Sequence, residues 1–274
     1  MTKHAIVTGG SAGIGLEVAL ALAHKGFDLT LISSRQDRLV AAKELIESRS
    51  RSKVDTAAVD FADLNAVSRF CDQHAQDWDL LVNNAGIKIV NNAGQSAQGF
   101  ERHLAINHLA HFALTNGLMP TAQHQARIVT VSSIVARFAP HDVFANRSFT
   151  TSERYAASKL ANLGFAIELD NRLRAAGREQ RSIAAHPGFT RAEPYGSRAT
   201  RFAEFLFAQH AQRGALPILE AAIASSPNPY YGPVIAELWG RPTVAKVNPI
   251  VLDDSWRQSL WSESENLTRI KCDF

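Results

Sequence analysis

Short apolar runs alternate with segments of helical spacing from the start of the chain. His4–Gly9 ("HAIVTG") has the continuous apolar character of a buried strand. Gly13–Lys25 follows with Ile14, Val18 and Leu22 on one helical stripe and Leu16 and Leu20 beside it. The alternation repeats: strands are predicted at Phe27–Ser33, Val54–Asp60, Trp78–Asn84, Ala126–Ser133 and Arg181–Pro187. Helices are predicted at Arg38–Ser48, Asp63–Ala75, Phe100–Leu118 and Glu153–Ala176. Strands separated by helices of this length form βαβ units with right-handed crossovers. The expected fold class is therefore α/β, a doubly wound parallel sheet with helices on both faces. No Pro-, Gly- or Ser-rich linker divides the chain, so residues 1–274 read as a single domain. Within it, 189–212 lacks clear strand or helix punctuation and reads as a substrate loop over one sheet edge. The stretch 229–274, rich in Pro, Gly, Trp and Tyr, reads as an irregular extension packed on the same domain, ending in a helix at Asp254–Leu267.

Composition narrows this picture little. With 46% hydrophobic and 20% charged residues, the chain is of ordinary globular type. The net charge of +3 is scattered; its densest run, Arg49–Lys53 ("RSRSK"), reads as a solvated turn, so no nucleic-acid partner is expected. No apolar run reaches membrane-spanning length, and "MTK" leads directly into the first strand. The expected location is cytoplasmic. The two cysteines, Cys71 and Cys272, lack partners at metal-ligand spacing, so no metal is expected and both read as reduced thiols.

The first chemical signal joins the first strand to the first helix. "TGGSAGIG" (Thr8–Gly15) carries glycines at 9, 13 and 15. Such a turn needs a residue free to take positive φ, a backbone that lets a pyrophosphate approach, and a helix N-terminus to meet the anion. The plain alternative is a flexible glycine turn; placement between the first strand and the first helix favours a Rossmann-type fold, a single NAD(P)-binding domain. In such folds an acid at the end of the second strand holds the ribose hydroxyls of NAD, whereas an arginine accommodates the 2′-phosphate of NADP. Here Ser34 and Arg35 stand there, which favours NADP (NADPH) over NAD; the plain alternative is that Arg35 is a solvated residue opening the next helix. Asp60, ending the third strand, can accept from the adenine amino group.

"YAASK" places Tyr155 and Lys159 one helical turn apart on a shared face. An ammonium near a phenol lowers the phenol's pKa and makes it a usable acid and base. "TGGSAGIG", "NNAG", a strand ending in Ser132-Ser133, "YAASK" and "HPG" occur in this order. The ordered set resembles the short-chain dehydrogenase/reductase family over Lys3 to about Gly188. "NHLAHFALT" (Asn107–Thr115), "SKLAN" (Ser158–Asn162), "YYGP" (Tyr230–Pro233) and "LWSESENLT" (Leu260–Thr268) are similar to its retinol-dehydrogenase-type branch.

The resemblance implies roles. Tyr155 would protonate the carbonyl oxygen, Lys159 would lower the phenol's pKa and hold the nicotinamide ribose, and Ser133 would bond the substrate oxygen. Asn107 would steady the lysine and a proton-relaying water. Outside this constellation Ser133 would read as a strand-end cap and Asn107 as a buried helix polar. The cofactor would be held by Gly9, Ser11, Gly13, Ile14, Gly15, Ser34, Arg35, Asp60, Phe61, Asn83, Ala85, Gly86, Tyr155, Lys159, Pro187, Gly188 and Thr190. Thr190 stands in for a threonine the family often has where this chain has Ala192, and Ala12 replaces a basic residue of some NADP-dependent members. The insertion Ala136–Arg154 would extend the wall of the cleft.

"NNAG" occurs twice, from Asn83 and from Asn91. The first copy follows the buried-strand run "WDLLV"; the second follows too soon for another parallel strand, which needs a crossover. The first is therefore the cofactor-site motif. His103, His108 and His111 read as packed or surface histidines, and Trp239, Trp256 and Trp261 as packing residues. The expected activity is NADPH-dependent reduction of a ketone or aldehyde, or the reverse oxidation. The small-molecule substrate is expected to be mainly apolar, from Ile87, Ile89, Val90, Phe138, Phe144, Phe189 and Phe202. Reduction of a conjugated C=C bond and a non-catalytic NADP-binding sensor or scaffold are the competing readings. A homo-oligomer is possible, unless the tail covers the helices that carry the site.

Overall fold

A computed structural model describes residues 2–74, 76–88, 94–145, 149–190, 208–225 and 227–271. The strands are β1 (His4–Thr8), β2 (Asp28–Ser33), β3 (Val54–Ala58), β4 (Trp78–Asn83), β5 (Ala122–Val131), β6 (Arg181–Ala185), β7 (Tyr230–Ile235) and β8 (Trp239–Val244). They form one sheet in the order β3-β2-β1-β4-β5-β6-β7-β8. The pairs are parallel except β7 with β8, which is antiparallel. The chain winds outward from β1 to β3, then crosses to β4 on the other side of β1. That reversal opens a crevice at the carboxyl ends of β1 and β4, where open α/β sheets bind ligands.

Helices cover both faces, which is why the central strands are apolar without alternation. One layer holds α1 (Gly13–His24), α2 (Gln36–Arg49) and α7 (Ala211–Ile223), with Val18, Leu22, Leu39, Ile46 and Ile218 fully buried. The other holds α3 (Leu64–Gln73), α5 (Ala110–Leu118) and α6 (Thr151–Ala175), whose core includes Val67, Phe112 and Phe165. A short α4 (Arg102–Leu104) runs through a π-helical turn (Ala105–Leu109) into α5. The hydroxyl of Thr150 and the carboxylate of Glu153 form a capping box that starts α6.

The stretch 229–274 is more regular than predicted. It contributes β7 to the parallel sheet, then β8 at its edge, then α8 (Asp254–Thr268). Gly232, Pro233 and Pro242 hid the strands; prolines are tolerated because Pro233 pairs with Pro242 beside a register shift at the outer hairpin. α7 begins inside the stretch predicted as a loop and carries Pro217 in its interior, which masked its helical pattern. Residues 191–207 of that loop lie outside the described residues.

α8 docks on α6. A Cβ at Gly164 would lie 2.6 Å from the Trp256 ring and 2.7 Å from Leu260, so a glycine is what lets the helices approach. Glu168 of α6 accepts from Arg172 at 2.8 Å and from the buried Arg257 of α8 at 3.3 Å. Trp261 fills the seam, 5.0 Å from Phe112 and 5.8 Å from Phe165 between ring centroids, with Arg172 over its face at 4.3 Å. The tail thus occupies the exposed flank of α5 and α6. Among the described residues no helix is long and apolar enough to cross a membrane.

Candidate active site

The glycine turn is built to receive an anion. Ala12 caps α1 without a side-chain hydrogen bond, and the first helical turn has no acidic residue. No side chain therefore competes for the amides at this helix N-terminus. Gly9 and Gly13 have φ of 66° and 54°. A Cβ at Gly15 would lie 2.2 Å from Gly9 O and 2.5 Å from Asn84 Nδ2, whereas one at Gly13 would meet nothing within 4 Å. One side of the turn is packed onto the "NNAG" segment and the other is open to the cleft, which fits a dinucleotide pyrophosphate. Ser11 donates to Ser33 Oγ at 2.9 Å and ties the turn to β2.

Thr8 holds the "NNAG" segment in register. Its Oγ1 accepts from Asn84 N at 2.8 Å and Ala85 N at 2.9 Å, and its carbonyl accepts from Asn84 Nδ2 at 2.8 Å. Asn83 points the other way: it is buried, and its Nδ2 donates to Thr115 Oγ1 at 2.8 Å and toward Thr130 Oγ1 at 3.4 Å. Asn83 braces β4 against α5 and β5 through these bonds; the cofactor contact expected of it falls instead to Asn84, which lines the cleft with Ala85 and Gly86. Asn91, Asn92 and Ala93 of the second copy lie outside the described residues.

Tyr155 and Lys159 share a face of α6 and line a cleft of about 280 Å³ together with Gly13, Ile14, Gly86 and Pro187. Burial pushes the Tyr155 phenol above its ordinary pKa, and the Ser133 hydroxyl beside it pulls in the opposite direction. Ser132 also borders the cleft, but its hydroxyl is committed to Lys159 O at 2.7 Å, so the second serine of the pair is the one whose hydroxyl meets the phenol. The Lys159 ammonium donates to Val131 O at 3.0 Å, and burial, with the Lys88 charge second, lowers its pKa to about 8. Burial and Ser133, rather than the Lys159 charge, set the direction of the phenol's shift in this structure.

Asn107 lies in the π-helical turn, fully buried. Its Oδ1 accepts from Ile87 N at 2.8 Å, and its Nδ2 donates to Ile87 O at 3.0 Å and Ser158 Oγ at 2.9 Å. It clamps the backbone beyond Gly86 rather than contacting Lys159 directly. His111 Nδ1 faces Asn107 O at 3.0 Å and its Nε2 faces Thr8 Oγ1 at 2.9 Å. The first partner only accepts, so Nδ1 carries the proton and Thr8 donates to Nε2. Burial lowers His111 to about 3 and His108 to about 4, consistent with neutral packed rings. Among the described residues no group of three or more His, Cys, Asp or Glu could hold a metal ion.

At the adenosine end, Ser34 and Arg35 are exposed just past β2. Arg35 donates to both carboxylate oxygens of Asp37, at 3.1 and 2.9 Å. Arg38, which sequence reasoning passed over, lines the cleft beside Ala12 and Gly13. Asp60 is exposed at the sheet edge, with Oδ1 accepting from Ala62 N at 2.9 Å. Phe61 is buried edge-on against His111, 5.0 Å between centroids, as part of the core.

At the far end, Gly188 takes φ of 70° and packs on Leu238 O. Thr190 turns its hydroxyl inward, donating to Pro187 O at 2.9 Å and packing on Gly214, so its side chain is spent within the protein. Its carbonyl accepts from Lys88 Nζ at 3.1 Å, which spans the cleft. Of the apolar wall predicted, Ile87 lines the cleft; Phe138 is exposed on the surface, and Phe144 packs half-buried against the core and lines a second cavity. Ile89, Val90 and Phe202 lie outside the described residues. This second cavity, about 830 Å³, lies beside the site on the adjoining face of α6, between Glu101, Arg154 and Glu263, and shares Ser158 with the site's network.

Comparisons with known proteins agree with this geometry. The family profile described as short chain dehydrogenase matches residues 3–199. Retinol dehydrogenase 11 of Mus musculus is 33% identical, over 81% of this chain and 73% of its own. An uncharacterised protein of Mycobacterium paratuberculosis superposes with a TM-score of 0.85 at 32% identity, covering 99% of this chain and 95% of that one. A short chain dehydrogenase from Burkholderia cenocepacia in complex with NADP has a TM-score of 0.68 at 26% identity, covering 83% of this chain and 94% of that one.

Proposed function

The chain belongs to the short-chain dehydrogenase family, in its retinol-dehydrogenase-type branch, and is an NAD(P)-dependent oxidoreductase; from that premise we propose that it reduces a ketone or aldehyde with NADPH, or runs the reverse oxidation, with Tyr155 as the acid. The observation that carries this is the shared cleft: Tyr155 and Lys159 open into the same crevice as the anion-receiving glycine turn.

The nicotinamide, when bound, supplies the hydride. The protein's residues do the rest. Ser133, beside the phenol, donates a hydrogen bond to the substrate oxygen and orients the carbonyl. Tyr155 gives its proton to that oxygen; its raised pKa keeps the phenol protonated at neutral pH. The Lys159 charge stabilises the phenolate left behind. Asn107 fixes the floor through Ile87, and Lys88 adds a second positive charge at the same place.

The preference for NADPH rests on Arg35 and Arg38 with no acid at the end of β2. The Arg35–Asp37 pair is exposed, of a kind worth roughly 0–1 kcal/mol, so a 2′-phosphate can displace it. The direct test is Tyr155→Phe. It should bind NADPH as the unmodified protein does and lose about 100-fold or more in turnover. Unchanged turnover across a panel of carbonyl compounds would remove Tyr155 from the mechanism.

A further inference from the structure

The hairpin joining β7 to β8 carries a carboxylate to two segments that border the site, from outside every recognised motif. Ala236 and Glu237 form its turn with φ of 49° and 57°. Leu238 N donates to Ile235 O at 2.9 Å, so the pair forms a two-residue hairpin turn at positions where glycine or asparagine is usual. Glu237 uses both carboxylate oxygens. Oε1 accepts from Arg137 Nη2. Oε2 lies 3.4 Å from Nε2 of the fully buried His186.

The tautomer of His186 follows from its neighbours. Gly188 N donates to Nδ1 at 3.3 Å, so Nδ1 carries the lone pair and the proton sits on Nε2, facing Glu237. Nε2 faces Glu237 Oε2 at 3.4 Å and has no well-formed hydrogen bond among the described residues. Gly232 leaves room for the ring: a Cβ there would lie 2.0 Å from Nε2.

The two partners of Glu237 follow the carboxyl ends of the neighbouring strands β5 and β6. Arg137 stands four residues past Ser133, in the 3-10 turn Ile134–Phe138. The Tyr230 hydroxyl reaches Ser133 O at 3.4 Å, and its ring lies 5.2 Å from that of His186. His186 directly precedes Pro187, and the next residue of the hairpin, Leu238, accepts from Phe189 N at 3.0 Å. One turn therefore touches both the segment that presents Ser133 and the adjacent segment Pro187–Thr190.

We propose that Glu237 is a positioning residue for carbonyl reduction: by joining Arg137 to His186 it fixes the Ser133 hydroxyl relative to the Pro187–Thr190 segment, and so the substrate oxygen relative to the nicotinamide. This rests on the function proposed above. A displacement near 1 Å in such a site costs on the order of 100-fold in rate. Glu237→Gln keeps the shape and removes the charge. In the full-length protein its kcat should fall about 10- to 100-fold with KM for NADPH nearly unchanged. Arg137→Gln should do the same, and the double variant should lose little more than either alone. The fluorescence of bound NADPH should also shift toward that of free NADPH in both variants.

A lowered melting temperature with unchanged kcat, or single effects that multiply in the double variant, would overturn the proposal. If Glu237→Gln does not fold, Arg137→Gln, made at a half-exposed site, carries the same readouts. If the unmodified protein reduces no carbonyl on the panel, the functional reading fails on its own. The fluorescence then decides this one: unchanged emission in the variants overturns it, and a shift supports it.

Discussion

Lys159 directs its ammonium at Val131 O, 3.0 Å away, while the Tyr155 phenol on the same helix face is governed by burial and by Ser133. The site is thus poised with a lysine that ionises near 8 and a tyrosine that ionises above its ordinary range. The ammonium form is the useful one, because it stabilises the phenolate formed in reduction. Its population declines as pH rises through about 8. The alkaline limb of kcat/KM, which reports the free protein, should therefore lie near pH 8. Lys88→Met removes the neighbouring positive charge that disfavours a second ammonium. The limb should move to higher pH in that variant, and a limb that stays in place would exclude the Lys88–Lys159 coupling.

Arg35 and Arg38 approach the adenosine end from opposite ends of the first turn of α2. Hydrogen bonds to charged groups contribute about 1.5–3 kcal/mol each. Arg35→Ala and Arg38→Ala should each weaken NADPH binding roughly 10-fold or more, with NADH affinity little changed. Titration of both cofactors against both variants measures this. An unchanged NADPH-to-NADH ratio would remove the arginine from 2′-phosphate recognition.

The two glycines of the turn separate packing from backbone strain. Gly15→Ala forces a methyl to 2.2 Å from Gly9 O and 2.5 Å from Asn84 Nδ2, both held by the Thr8 network. Gly13→Ala meets nothing within 4 Å and pays only for its φ of 54°. Overpacking of this kind costs about 1–3 kcal/mol, and here it also displaces the anion-binding amides. Gly15→Ala should lose cofactor binding far more than Gly13→Ala, as read by NADPH titration.

Strands β1 to β6 were legible because buried parallel strands are written as apolar runs, and the glycine turn, Ser133, Tyr155 and Lys159 because their spacing is local. The missing pieces depend on approach in space. Nothing near Asn84 says that it, rather than Asn83, faces the cleft; the Thr8 hydroxyl decides that. Lys88 enters the site through a contact with Thr190 O, far away in sequence. Strand β7 was hidden by Gly232 and Pro233, and Gly232 is there because the His186 ring needs the space. Residues that a periodicity argument discards as breakers are the ones that shape this edge of the site.

The attachment of α8 is the remaining point where a single change has a large, readable consequence. Arg257 and Glu168 are both buried, and Glu168 also receives Arg172. Removing one partner of such a pair leaves a charge without compensation and costs about 3–5 kcal/mol. Glu168→Ala should therefore lower stability by that amount in a denaturant titration. Glu168→Gln, which still accepts a hydrogen bond, should cost less. Because α8 packs behind α6 rather than in the cleft, NADPH affinity below the transition should stay close to that of the unmodified protein. The same seam predicts the assembly: Trp256, Leu260 and Trp261 already cover the flank of α6. Glu168→Ala would loosen that cover and expose apolar surface, so concentration-dependent association by light scattering should rise in the variant. A variant as stable and as dispersed as the parent would show that the ion pair does not hold the helix in place.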